Sequence, residues 1–87
     1  MLGRWLHIAL RNNAMKPIEQ LKPADLKTGT VIAVHYGQND TVERFICTRI
    51  GRIAYIVSLN CGYAYTRPQL IEKYGKVAAE FEFTSLL

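Results

Sequence analysis

Aromatic and cationic side chains lie close together in the second half of the chain. Tyr63 and Tyr65 are two residues apart, so in an extended segment they would share one face, and Arg67 follows them. Arg49 and Arg52 flank an expected hairpin tip. Tyrosine and arginine commonly anchor protein interfaces, and the same side chains stack on bases and bind phosphates. These five residues are therefore our predicted binding site, on one side of a small barrel.

Nucleophilic catalysis would require a serine or cysteine beside a base that a third group orients. The available side chains are Ser58 or Cys61 as nucleophile, His35 as base and Asp40 as the orienting acid. Nothing in their spacing aligns them, so we expect structural roles for all four. We predict no catalytic residue and do not expect an enzyme.

The carboxylates Glu80 and Glu82 would project from the same face of a strand, about 6–7 Å apart. Their alternation with Phe81 and Phe83 is explained better by a strand with one solvated face. The 6 glycines are scattered singly, mostly at expected turns, so no phosphate-binding glycine loop is present.

The 2 cysteines do not have the spacing of a metal site. Cys47 lies in an apolar run and is expected in the core, whereas Cys61 lies between Asn60 and Gly62 and is expected in a turn. We predict two reduced thiols, no metal and no cofactor.

Runs of β-branched and apolar residues between turn signals, and strict alternation at 80–83, predict five short strands. We expect Tyr55 to point into the core and to share its face with Ile53, Val57 and Leu59. Turns are predicted at 37–40, at 50–52 and at 60–62. The five predicted strands are 30–36, 41–49, 53–59, 63–65 and 77–83.

Two short helices are predicted around these strands. Pro17 can start a helix that ends near Leu21, before a second proline. Thr66 and Gln69 have the spacing of a capping box, which predicts a helix that ends at Gly75, before the last strand. A further short amphipathic helix is one interpretation of residues 1–14, and a dispensable leader is the other.

The order of strands and turns resembles that of the small SH3-like barrels, which occur in cellular adaptors and as stand-alone phage proteins. The segment from Leu26 to Ile32 leads into two hairpins, and the segment from Val57 to Gly62 precedes a fourth strand. The resemblance implies binding through loops and a sheet face, and it carries over no catalytic residue. The predicted fold is mainly β, a small α+β domain built as a five-stranded, partly open SH3-like barrel.

A length of 87 residues allows one small domain, which we assign to residues 15–87. Hydrophobic residues make up 49% and charged residues 21%, values typical of a globular chain and unlike those of a disordered one. The apolar stretch at 2–10 has no cleavage site and is too short to span a bilayer, so we expect a cytoplasmic protein without a stable membrane span.

The formal net charge is +4, and most of the cationic excess lies between Arg44 and Lys76. A basic, aromatic face favours a non-enzymatic module that docks on a protein partner. The alternative is a nucleic-acid-binding barrel that contacts phosphates and stacks bases. A third interpretation is a homo-oligomer that captures a small anionic ligand, such as a nucleotide, between protomers.

Overall fold

The computed structural model describes residues 15–85 of the chain. This part contains six antiparallel strands in a single sheet, one α-helix and two short 3₁₀ helices at Ile18–Gln20 and Pro23–Asp25. The interpretation of residues 1–14 as a leader or helix lies outside the described residues. The remaining elements are β1 (Lys16–Pro17), β2 (Val31–Tyr36), β3 (Thr41–Ile50), β4 (Ile53–Ser58), β5 (Ala64–Thr66), α1 (Arg67–Gly75) and β6 (Glu80–Thr84).

The sheet has the strand order β1-β6-β2-β3-β4-β5 and is open, with β1 at one edge and β5 at the other. The mainly β class and the meander of β2, β3 and β4 are confirmed, but the strands of residues 15–85 do not close into a barrel. The count of five strands was also too low, because Lys16–Pro17 pairs with β6 ahead of the short helix at Ile18–Gln20. Both edge strands are short, which limits the unpaired backbone that an open sheet exposes.

One face of the sheet carries the core. Cross-strand partners share a face, and the pairs Ile32 with Phe45 and Cys47 with Ile56 are all buried. The helix α1 covers this face with Leu70 and Tyr74, and the first 3₁₀ helix adds Ile18. The side of the sheet that faces α1 is called the core face below, and the other side the opposite face.

The predicted orientation of β4 was wrong. Ile56 and Ser58 lie on the core face, whereas Ile53, Tyr55 and Val57 lie on the opposite face, where the Tyr55 side chain is half-buried. Leu59, which we expected on the same face as Tyr55, follows the end of the strand and is exposed. Because β4 is apolar on both faces, alternation along this strand does not distinguish the face that packs against α1.

The turns and caps follow the local sequence. Gly37, Gly51 and Gly62 adopt positive φ angles at the three predicted turns. The backbone N–H of Thr66 donates to Oε1 of Gln69 at 2.9 Å, which is one arm of the predicted capping box, and α1 ends at Gly75 as expected. β6 begins only at Glu80, because the chain turns at Ala78 with a φ of 52°.

Within residues 15–85, no helix is both long enough and apolar enough to cross a bilayer.

Candidate functional site

Three of the five predicted binding residues line one cleft. Arg49, Arg52 and Arg67 meet at the end of the sheet where β3 turns into β4, around a cleft with a volume of about 360 Å³. Its other walls include the exposed apolar residues Ile53 and Pro68. This cleft is called the arginine cleft below.

Two of these arginines are held by backbone carbonyls. Nε and Nη2 of Arg49 donate to the carbonyl oxygens of Leu26 and Pro23 at 3.0 and 3.1 Å. Nε of Arg67 donates to the carbonyl oxygen of Leu21. These bonds fix the two guanidinium groups against the segment that precedes β2. The orientation of both groups is therefore set before any ligand arrives.

The third arginine of the cleft has no such restraint. Arg52 is exposed in the two-residue turn between β3 and β4, and it makes no hydrogen bond or ion pair with residues 15–85. Gly51, the other residue of this turn, has a φ of 64°, which permits the tight reversal. Arg52 is thus the cation of the cleft that is most available to a partner.

The two predicted tyrosines lie outside this cleft. Tyr65 pairs with Ile56 in the middle of β4, and Tyr63 lies beside Ser58 at the far end of that strand. Tyr63 is 62% exposed, whereas Tyr65 is 8% exposed and belongs to the core. Their ring centroids lie 4.9 Å apart, so they do share a face. Together with Cys61 and Lys73 they surround a second, shallow cavity of about 540 Å³, which is called the tyrosine patch below.

Lys73 was not predicted to belong to this surface. Its Nζ donates to the hydroxyl of Tyr65 at 2.7 Å and lies 5.1 Å from the centroid of that ring. The hydrogen bond with Tyr65 raises the pKa of the Lys73 ammonium. Lys73 and Tyr65 are therefore engaged with each other, and Tyr63 presents the exposed ring of the patch. No local pattern indicates this pairing, because Tyr65 is in β5 and Lys73 is in the last turn of α1.

Tyr63, the exposed ring of the tyrosine patch, is separated from the arginine cleft along β4. Ala54 lines the arginine cleft, and the backbone N–H of Ser58 donates to the carbonyl of Tyr63 beside the tyrosine patch. The distance from Ala54 to Ser58 along an extended strand is about 13 Å. The five predicted residues thus form two surfaces along β4 and β5, with Tyr65 next to Thr66 of the arginine cleft and Tyr63 at the far end of β4.

A partly buried carboxylate in β3 binds one residue of β4 and one of α1. Glu43 accepts hydrogen bonds from the hydroxyls of Ser58 and Tyr74 at 2.6 and 2.7 Å. Burial, followed by the bond to Glu43, raises the pKa of the Tyr74 phenol. The sequence contains a signal for this contact. Glu43 is two residues before Phe45 and therefore on the same face of the strand, and an acid on the core face needs a hydrogen-bonding partner.

The two thiols occupy different environments. Cys47 is buried, and burial raises the pKa of its thiol to about 11. Cys61 is exposed, and hydrogen bonding with the Ser58 side chain and the Tyr63 backbone lowers the pKa of its thiol. The predicted core and turn positions of the two cysteines are confirmed.

The residues considered for nucleophilic catalysis are not assembled. Ser58 is buried on the core face and its hydroxyl donates to Glu43, whereas His35 lies on the opposite face. His35 does bond with Asp40, through Nδ1 at 3.1 Å, and its Nε2 lies 2.6 Å from Oε2 of Glu82. The half-buried Glu82 of β6 therefore forms a cluster with His35 of β2 and Asp40. Within residues 15–85, no group of three or more His, Cys, Asp or Glu side chains could hold a metal ion.

Comparisons of the chain with protein-family models, with curated proteins and with solved structures found no match.

Proposed function

We propose that this protein is a non-enzymatic binding module that docks on a protein partner by taking an acidic segment of that partner into the arginine cleft. The observation that carries the proposal is the gathering of Arg49, Arg52 and Arg67 around one cleft with apolar walls. Arginine is enriched in the residues that dominate binding energy at protein interfaces.

The charge distribution favours a local contact over a general attraction to polyanions. Two of the 11 cationic residues, Arg4 and Arg11, precede the described residues, whereas all 7 acidic residues belong to them. The cationic excess of residues 15–85 is therefore small. Three arginines at one cleft supply a specific complement for an acid, as charge matching at interfaces requires.

The lining of the cleft favours a protein over a nucleic acid. Ile53 and Pro68 contribute exposed apolar surface, and no aromatic side chain of residues 15–85 lines the cleft. Single-stranded nucleic acid is usually held by aromatic rings on which bases stack, close to the cations that bind phosphates. The exposed ring of Tyr63 lies at the other end of β4 and β5. A peptide with an apolar side chain next to an acid matches the cleft better.

The resemblance to SH3-like barrels belongs to this proposal, since such proteins bind through their loops and the arginine cleft includes the turn between β3 and β4. A reducing compartment such as the cytoplasm is also part of the proposal. It is supported by the free thiols of Cys47 and Cys61.

The test uses a fluorescein-labelled peptide in which one leucine is flanked by glutamates, with a glutamine version as its uncharged control. Fluorescence anisotropy should show that the glutamate peptide binds and that Arg52→Ala weakens binding about tenfold, the loss of one charge-assisted contact. Arg44→Ala is the matched control, because Arg44 is an exposed arginine of β3 on the opposite face. Equal losses in the two variants would contradict the proposal.

A mixed-sequence oligonucleotide of similar length provides the second arm of this experiment. We expect it to bind more weakly than the glutamate peptide at physiological salt. Tighter binding of the oligonucleotide, with a steep loss as salt increases, would favour the nucleic-acid alternative.

A further inference from the structure

We infer that the anionic group preferred by the arginine cleft is a phosphorylated side chain of the protein partner. This inference rests on the proposed function and adds the chemical class of the ligand. It follows from the number of N–H donors, the balance of charge and the fixed orientation of two of the three guanidinium groups in the cleft.

The cleft retains many N–H donors after its internal bonds are made. A guanidinium group carries five N–H donors. Arg67 uses its Nε for the Leu21 carbonyl, and Arg49 uses Nε and Nη2 for two carbonyls. Arg52 uses none of its donors within residues 15–85. The donors that remain are mostly the terminal ones, which exceed what the two oxygens of one carboxylate can accept.

The positive charge of the cleft is also larger than a single carboxylate can neutralise. Three cations line it, and no acidic side chain from the described part of the chain does. Asp25, the acid nearest to Leu26 in the chain, accepts the backbone N–H of Lys22 and lines a different cavity. A phosphoryl group carries a charge of about −1.5 to −2 and three acceptor oxygens, so it neutralises more of this cationic surface.

The first turn of α1 adds to the same preference. Thr66, Arg67 and Pro68 line the cleft at the N-terminal end of this helix of 9 residues. The partial positive charge of a helix N-terminus stabilises nearby anions. This contribution supplements the three guanidinium groups, which carry the argument.

The apolar walls indicate that the phosphate is borne by a peptide. Free phosphate would use the cations and leave Ile53 and Pro68, which are both exposed, in contact with water. A phosphoserine next to a leucine could place its phosphate on the arginines and its neighbour on these two side chains, because they line the same cleft. We therefore expect both parts of the ligand to contribute to binding.

The inference is tested by fluorescence anisotropy with three labelled peptides that differ at one position next to a leucine. That position is phosphoserine, glutamate or serine. We expect the phosphoserine peptide to bind about tenfold more tightly than the glutamate peptide, in line with its additional charge-assisted hydrogen bonds. Arg52→Lys should lose part of this preference and Arg52→Ala most of it, because lysine retains the charge without the planar fork. Arg44→Ala should change neither affinity.

The outcomes separate this inference from the proposed function. Equal or tighter binding of the glutamate peptide would overturn the phosphate preference and leave the acidic-segment proposal intact. Failure of both peptides to bind would overturn both. Inorganic phosphate is added as a competitor, and competition at the affinity of the phosphoserine peptide would contradict the role of the apolar walls. Tighter binding of an oligonucleotide would assign the cleft to nucleic acid and overturn the inference.

Discussion

The hydroxyl of Tyr74 donates a hydrogen bond to Oε1 of Glu43 at 2.7 Å and thereby ties the last turn of α1 to β3. Tyr74 is 3% exposed, and its ring also packs against Phe45 with centroids 6.0 Å apart. The same carboxylate accepts the hydroxyl of Ser58 from β4. One acidic side chain thus joins the helix to two strands at the edge of the core.

Tyr74→Phe should lower the free energy of unfolding by about 1–3 kcal/mol, because it retains the ring but leaves one oxygen of Glu43 without its donor. Urea denaturation measures this change. Tyr63→Phe is the matched control, since the Tyr63 ring is exposed and its hydroxyl has no hydrogen-bond partner within residues 15–85. A loss for Tyr74→Phe no larger than for this control would show that the bond to Glu43 does not stabilise the fold.

The two thiols should react at very different rates. Cys61 is exposed and the pKa of its thiol is lowered, whereas Cys47 is buried and the pKa of its thiol is about 11. Cys61 should therefore be alkylated rapidly in the folded protein, and Cys47 only when the protein unfolds. Mass spectrometry of iodoacetamide-treated protein identifies the modified residue. Rapid modification of Cys47 in the native state would contradict the buried position of its side chain.

Ser58→Ala should shift the reaction of Cys61 to higher pH. The Ser58 side chain is the largest cause that lowers the pKa of the Cys61 thiol, so its removal raises that pKa and reduces the thiolate fraction at a given pH. The pH dependence of the alkylation rate checks this prediction. An unchanged midpoint in a folded Ser58→Ala variant would exclude Ser58 as the group that stabilises the thiolate.

The two hydrogen bonds of the His35 ring should contribute unequally to the stability of the fold. The bond to Glu82 is 2.6 Å long and the Glu82 side chain is 22% exposed, whereas the bond to Asp40 is 3.1 Å long and the Asp40 side chain is 70% exposed. Double-mutant cycles with alanine should therefore give a larger coupling for His35 and Glu82, about 1 kcal/mol, than for His35 and Asp40. The opposite order would show that solvent exposure does not govern these pairs.

Gly51→Ala should destabilise the protein by about 1–2 kcal/mol, because alanine is strained at the positive φ of this turn. Apart from Gly51 itself and its two chain neighbours, no residue has an atom within 4 Å of the added Cβ, so the loss would come from the backbone alone. Gly75→Ala is the contrasting variant. Gly75 does not have a positive φ, and the added Cβ would meet only the carboxylate end of the flexible Glu19 side chain, at 3.3 Å. Thermal unfolding should show a loss for the first variant and little loss for the second, and similar losses would contradict the conformational explanation.

Local features of this protein were predictable from the sequence. The turns at Gly37, Gly51 and Gly62 and the capping contact of Thr66 with Gln69 depend on residues that are close neighbours in the chain. Such contacts follow from backbone sterics and short-range hydrogen bonding, which the sequence specifies directly. The burial of Cys47 and the exposure of Cys61 also followed from their immediate neighbours.

The tertiary structure decided which face of each strand is buried and where the sheet ends. Since β4 is apolar on both faces, only the position of α1 determines that Ile56 points inward and Tyr55 outward. The packing of the segment before β2 likewise brought Arg49, Arg52 and Arg67 to one cleft, distant from Tyr63, since its backbone carbonyls hold two of these side chains. Composition and alternation contain no information on such long-range partners, because these depend on how separate elements pack.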